Sequence, residues 1–354
     1  MRASRAPSGK DRRITSTMQP LNIVFAGTPE PAVVALERLV ASRHHVRAVI
    51  TRPDAPKGRG RTLHPSPVAA WAKDAGIEVL TPRTLKPGTE DGEQLRADLS
   101  RLAPDVIPVV AYGNLITADL LAPERVRHGW INLHFSLLPR WRGAAPVQAA
   151  IAAGDTETGV STFRIDQGLD TGQLLATQRA AIAETDTADD LLTRLAHQGA
   201  DLLAETMDGL AAGTLVGRDQ EGEPTYAPKI TSAQARVDWT GPAAQIDRLV
   251  RAYTPAPGAW TMFGDLRLKL GPVVPCDPES EDVPAAATEL GCGQVLAGRH
   301  EVFVGTGSEP VRLTRVQPPG KKMMAAADWA RGALSRHSAG AHEDTAGSGK
   351  AEFQ

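Results

Sequence analysis

Between residues 21 and 134, short apolar runs alternate with amphipathic stretches, and this alternation restricts the fold more than any other feature. Leu21 to Ala26 is an apolar run ending at Gly27, followed by a helical pattern from Pro31 to Val40 and a strand over Val46 to Thr51. Helix Ser66 to Ala75, strand Ile77 to Leu80, helix Gly92 to Leu102 and strand Asp105 to Val110 continue the series, and Trp130 to His134 is the next strand. Strands spaced by helices predict an open, largely parallel α/β sheet. Ligands of such sheets sit beyond the carboxyl ends of the strands, where Ala111-Tyr112-Gly113 and Asn132-Leu133-His134 fall. Gly27-Thr28-Pro29 begins like a dinucleotide-binding turn, but no Gly-x-Gly-x-x-Gly follows, so a nicotinamide cofactor is not expected.

The chemistry-bearing residues cluster after that last strand, in Ile131 to Gly143, INLHFSLLPRWRG. Alternate side chains of a strand share a face, so Asn132, His134 and Ser136 should point the same way. Asp170 arrives 36 residues after His134 on the glycine-flanked loop Gly168 to Gly172, GLDTG, between predicted strands Thr158 to Ile165 and Gln173 to Ile182. Amide, imidazole and carboxylate together suit acyl transfer to an amine. The amide donates to a developing oxyanion, the imidazole stabilises charge or moves a proton, and the carboxylate sets the state of the imidazole. An Asn-x-His pair alone is more often a satisfied polar strand edge; the added turn and loop favour catalysis.

These residues resemble the signature of the folate-dependent formyltransferases, Asn-x-His-x-Ser-Leu-Leu-Pro with a later Asp-Thr-Gly. Trp141-Arg142-Gly143-Ala144-Ala145-Pro146 is similar to the branch acting on methionyl-tRNA. So are Phe25-Ala26-Gly27-Thr28-Pro29, Gly58-Arg59-Gly60, Ala252-Tyr253-Thr254-Pro255, Gly320-Lys321-Lys322 and Asp328-Trp329. The likeness runs from about Leu21 to His337. It implies catalytic roles for Asn132, His134 and Asp170. It implies a pocket for 10-formyltetrahydrofolate shaped by Ser136, Leu137, Leu138 and Pro139, with Ala111, Tyr112 and Gly113 as a further wall. No metal is required, because the formyl donor is already activated. The family commonly has Gly where this chain has Phe135; alternation turns Phe135 away from His134, toward the core.

Net charge is −2, which does not advertise a nucleic-acid binder, yet Arg52 to Arg61 holds Arg52, Lys57, Arg59 and Arg61 against Asp54 alone. Its prolines and glycines exclude a regular helix. By itself it reads as a solvated loop; the resemblance implies that Lys57, Arg59 and Arg61 hold the acceptor end of initiator methionyl-tRNA. Cysteine occurs only at Cys276 and Cys292, so neither a disulfide framework nor a zinc site is expected. No apolar run approaches a membrane span. A cytoplasmic monomer is expected.

The predicted organisation is a basic disordered extension over residues 1–20, with Met18 as a natural start, and a catalytic domain over 21–210 closing with a helix from Ala188 to Leu210. A linker at 211–232 follows, because Ala211 to Pro228 lacks periodicity and is rich in Gly and Pro. Residues 233–337 form a C-terminal domain and 338–354 a disordered tail. In the C-terminal domain, helix Pro242 to Ala252 precedes short strands at Ala259 to Phe263, Leu266 to Val274, Gln294 to Leu296, Glu301 to Val304 and Val311 to Val316. Short strands with turn signals predict a small β-barrel. The resemblance implies a Rossmann-like first domain and an OB-like barrel for the second. Rival functions are the same transfer to another amine, such as a sugar nucleotide or purine precursor; hydrolysis of formyl-folate; and tRNA binding without catalysis, should Phe135 fill the pocket.

Overall fold

The computed structural model describes residues 19–57, 60–340 and 351–354, with the side chains of 334–340 left out. The predicted 1–20 extension, apart from its last two residues, and Arg59 therefore lie outside the described residues.

The first lobe is a seven-stranded sheet with helices on both faces. Its elements begin with β1 (Asn22–Gly27), α1 (Glu30–Val40) and β2 (His45–Ile50), then a hairpin of β3 (Ala55–Lys57) and β4 (Thr62–His64). Next come α2 (Pro67–Asp74), β5 (Glu78–Leu80), α3 (Glu90–Leu102), β6 (Ile107–Val110) and β7 (Trp130–His134). After β8 (Arg142–Gly143) and α4 (Pro146–Ala153), β9 (Glu157–Arg164) and β10 (Leu174–Ala181) complete the sheet, and α5 (Ala188–Ala212) closes the lobe. The strand order is β10-β9-β7-β6-β1-β2-β5. Neighbours from β5 to β7 are parallel, whereas β9 and β10 run antiparallel.

The pleat sorts the apolar residues. Ile23, Phe25, Val49, Ile131, Leu133 and Phe135 pack with Leu36 and Leu39 of α1 and Leu195 and Leu203 of α5. Val24, Ala26, Ile50, Val109 and Trp130 face Leu95 and Leu99 of α3. Burying a ring such as Phe135 contributes roughly 1.5–3 kcal/mol, so it acts as a core residue and leaves the site on the other face open. Helix starts follow local chemistry: Ser66 Oγ accepts from Ala69 N–H at the head of α2, and Thr187 with Asp190 forms a capping box on α5.

The second lobe holds β11 (Tyr226–Ala227), α6 (Ala243–Ala252), β12 (Trp260–Phe263), β13 (Leu266–Leu270), β14 (Val273–Pro275) and the short α7 (Ala285–Thr288). It ends with β15 (Val295–Ala297), β16 (Val302–Val304), β17 (Val311–Leu313), β18 (Arg315–Gln317), β19 (Met324–Ala325) and α8 (Ala326–Gly340). Two four-stranded antiparallel sheets, β12-β13-β18-β19 and β14-β17-β16-β15, enclose its core. The runs 266–274 and 311–316, read from sequence as single strands, each break in two. At Gly271-Pro272 and at Thr314 the chain leaves one sheet for the other, a corner that apolar content does not reveal.

The 211–232 stretch joining the lobes is tied down, because β11 pairs in parallel with β8 of the first lobe. Two expectations need correction. Within the basic stretch and just after it, Ala55–Lys57 and Thr62–His64 pair as an exposed β-hairpin rather than forming a loop throughout. The tail predicted as disordered from 338 continues α8 to Gly340, and its last four residues dock on the second lobe. Phe353, 3% exposed, stacks on Trp239 with centroids 5.6 Å apart and meets Phe263 edge-on at 5.8 Å. Backbone hydrogen bonds of Phe353 with Gly293 and of Gln354 with Met262 seat the end beside that ring.

Candidate active site

His134 ends β7 at the carboxyl edge of the sheet, opposite Ser161 of β9. Asn132, two residues earlier on the same face, pairs with Val109 and Phe163 on its two sides. Its half-buried amide makes no side-chain hydrogen bond among the described residues. The His134 ring is 5% exposed and its Nε2 lies 2.9 Å from the Trp141 carbonyl oxygen. A carbonyl only accepts, so Nε2 carries the proton and Nδ1 keeps its lone pair.

That lone pair faces Asp170, whose Oδ2 is 3.8 Å from Nδ1. This exceeds hydrogen-bond range, so the neutral ring and the carboxylate oppose each other as two acceptors. Burial pushes the imidazole below its ordinary range; the Asp170 charge and the Trp141 carbonyl push the other way without reversing it. Asp170 Oδ2 is fixed by Gly143 N–H at 2.7 Å.

Local sequence explains the placement of the carboxylate. Asp170 is left-handed, φ 51°, in a loop so tight that a Cβ on Gly172 would lie 1.7 Å from the Arg164 carbonyl oxygen. Asp166 Oδ1 accepts from Gly168 N–H and Thr171 Oγ, closing the loop on itself. Trp141 is also left-handed, φ 61°. Its indole Nε1 donates to Asp155 at 2.8 Å, and Asp155 also pairs with Arg140.

The structure brings Asn132, His134 and Asp170 to one edge. The turn after β7 holds itself together: Ser136 Oγ donates to the Arg140 carbonyl at 2.6 Å, and Ser161 Oγ donates to the Ser136 carbonyl at 2.7 Å. Ser136 and Leu138 are buried, Leu138 against Phe163 and Leu174, while Leu137 and Pro139 are partly exposed. Ala111 and Gly113 are exposed with positive φ, and the Tyr112 ring is buried in the core. That burial raises the Tyr112 phenol above its ordinary range.

Arg52 Nη1 donates to the Gly113 carbonyl, so the basic hairpin rises beside the same corner. Lys57 and Arg61 are exposed on it. No hydrogen bond or ion pair joins them to His134 or Asp170 among the described residues. No group of His, Cys, Asp and Glu able to hold a metal ion is found among the described residues.

Sequence reading missed the supports of the triad. Gln220 donates to the carbonyls of Asp170 and Gly172, and Thr225 Oγ accepts from Trp141 N–H. These partners lie 48 to 84 residues apart, in a stretch without periodicity, so no local signal marks them.

The family model for formyl transferase matches residues 21–207, and that for the formyl transferase C-terminal domain matches 229–334. A methionyl-tRNA formyltransferase of Corynebacterium aurimucosum is 64% identical over 322 residues, 90% of this chain and 96% of that protein. One from Mycobacterium avium is 55% identical over 316 residues, 89% and 97% of the two chains. Among solved structures, the sugar 3N-formyl transferase WlaRD is 17% identical with a TM-score of 0.60, covering 86% of this chain and 100% of that one. HypX from Aquifex aeolicus in complex with tetrahydrofolic acid is 18% identical with a TM-score of 0.59, covering 95% and 50%. These structures share the fold, whereas the sequence relatives share most of the residues as well. A formyl transferase profile across the sheet lobe, joined to such identity over nine-tenths of the length, places this chain in the methionyl-tRNA formyltransferase family.

Proposed function

We propose that the chain transfers the formyl group of 10-formyltetrahydrofolate to the α-amino group of initiator methionyl-tRNA, as a cytoplasmic monomer. One observation carries the chemistry: a free amide, a neutral imidazole and a fixed carboxylate share the carboxyl edge of the sheet, where such folds bind ligands. The names of the sequence relatives supply the amine.

An α-amino group titrates near pH 8, so part of it is neutral at physiological pH. As it attacks the formyl carbon, negative charge grows on the formyl oxygen, and the Asn132 amide donates to it. The attacking nitrogen becomes acidic and gives its proton to the His134–Asp170 pair. The same pair returns a proton to the folate nitrogen as the carbon–nitrogen bond breaks. His134 Nδ1, the ring nitrogen not committed to Trp141, is the site of exchange. The partly exposed Leu137 and Pro139, with the backbone at Ala111 and Gly113, border the folate. Lys57 and Arg61 on the hairpin, Arg59 of the same basic sequence stretch, and the C-terminal domain over 233–337 hold the tRNA.

The test is transfer of labelled formyl from 10-formyltetrahydrofolate to charged initiator tRNA by the purified chain. Transfer to an amino sugar with none to charged tRNA refutes the reading, and formate release without tRNA identifies a hydrolase instead.

A further inference from the structure

The segment after α5 wraps the loop that carries Asp170. The backbones of Arg218 and Leu174 exchange hydrogen bonds of 2.8 and 2.9 Å, and Asp219 Oδ1 accepts from Gln173. Gln220 then bridges the Asp170 loop and β8. Its Nε2 donates to the Asp170 carbonyl at 2.7 Å and to the Gly172 carbonyl at 2.9 Å. Its Oε1 accepts from Arg142 Nη2 at 2.7 Å and Nε at 3.2 Å. Both amide hydrogens and the oxygen are in use.

The geometry points to Gln220 as a positioning residue of the transfer reaction, holding the Asp170 carboxylate against His134. This rests on the roles proposed above for His134 and Asp170. The two segments that Gln220 joins are the two that fix the carboxylate. One is the loop bearing Asp170 in its left-handed conformation; the other is β8, whose Gly143 N–H holds Oδ2. Without the amide, the Asp170 and Gly172 carbonyls would be served by water, and the Gly143–Asp170 bond would be left to hold β8 to the loop without Gln220. Nδ1 and Oδ2 stand 3.8 Å apart. A proton shared directly between them needs about 2.7–3.0 Å, so the loop must be held where an approach of roughly 1 Å brings them together. A displacement of that size costs on the order of 10²-fold in rate.

The test compares Gln220→Met, of similar length without polar atoms, with Gln220→Glu, which keeps the acceptor for Arg142 but has no hydrogens for the two carbonyls. In the full chain both should lower kcat by about 10- to 100-fold, with KM for charged tRNA and for the folate donor unchanged. The nuclear magnetic resonance titration of His134 should move to lower pH, because the carboxylate that raises it has moved away. Wild-type kcat in Gln220→Met, or a loss confined to KM with an unmoved His134 titration, overturns the assignment. Asp170→Asn run in parallel separates the two failures. If it keeps normal turnover, the reading of the site itself falls and this assignment with it. If it is inactive while Gln220→Met is normal, only the role of Gln220 falls.

Discussion

Gly143→Ala tests how tightly the carboxylate is held. Gly143 has φ +121°, a region glycine alone occupies comfortably, and an added Cβ would lie 2.6 Å from the Ala227 carbonyl oxygen. That oxygen belongs to the backbone of β11 and already accepts N–H groups from Ala144 and Ala145, so it cannot rotate aside. Ordinary contact begins at 3.4 Å, so β8 and β11 must separate by about 0.8 Å. Backbone strain of ~2 kcal/mol plus weakened backbone bonds of ~1 kcal/mol gives a cost of about 3 kcal/mol. For a unit of 150–250 residues this lowers the melting midpoint by roughly 6–12 °C. The same movement carries Gly143 N–H away from Asp170 Oδ2, and the single-turnover rate of formyl transfer at 25 °C should fall on the order of 10²-fold. Circular dichroism reads the first effect and rapid-quench transfer the second. A wild-type single-turnover rate, or a loss lying wholly in KM, would refute the claim that this backbone contact holds the carboxylate.

Asn132→Ala should lower kcat by about 10²–10³ while leaving tRNA affinity intact; equal activity of the variant in the transfer assay counts against an oxyanion role. Stability should decline as pH falls through about 6.5. Burial holds His134, His128 and His44 below that value in the fold, so the unfolded chain binds the extra protons and gains from acid. A urea midpoint flat from pH 7.5 to 5 would contradict this. Lys57→Ala and Arg61→Ala should weaken tRNA use and flatten its salt dependence by about 0.7–0.9 per lost phosphate contact, with folate-analogue binding unchanged. Lost folate affinity would move the hairpin to the other ligand. Phe353→Ala should cost about 3–5 kcal/mol in the second lobe, read by tryptophan fluorescence because Trp239 and Trp329 both border the ring; an unchanged unfolding midpoint would mean the tail is not seated.

The sheet was legible because its signal is local. Strands such as β1 and β6 are short apolar runs, and helices such as α2 and α3 begin at side-chain caps, Ser66 and Thr89. The face of β7 was legible for the same reason: alternation alone sends Phe135 to the core and leaves Asn132 and His134 on the opposite face. The second lobe was harder. A continuous apolar run such as Leu266 to Val274 does not show that Gly271-Pro272 carries the chain from one sheet to another. Nor does a Gly- and Ala-rich tail show that Phe353 has an aromatic slot waiting.

The candidate site divides along the same line. Groups that would meet substrate stand in short motifs, because a strand end and a tight loop can each present one side chain from local sequence. Groups that fix those side chains are supplied across the fold. His134 is given its tautomer by the carbonyl of Trp141, which depends on Asp155 for its indole and on Thr225 for its amide. Asp170 depends on Gly143 and, through its loop carbonyl, on Gln220. Thr225 and Gln220 both lie in the stretch that joins the two lobes, so the connector is built into the candidate site. A motif search finds the three candidate groups and passes over this connector. Their geometry is nevertheless only as firm as its grip, because the 3.8 Å gap between His134 and Asp170 is set by two segments that the connector joins through Gln220.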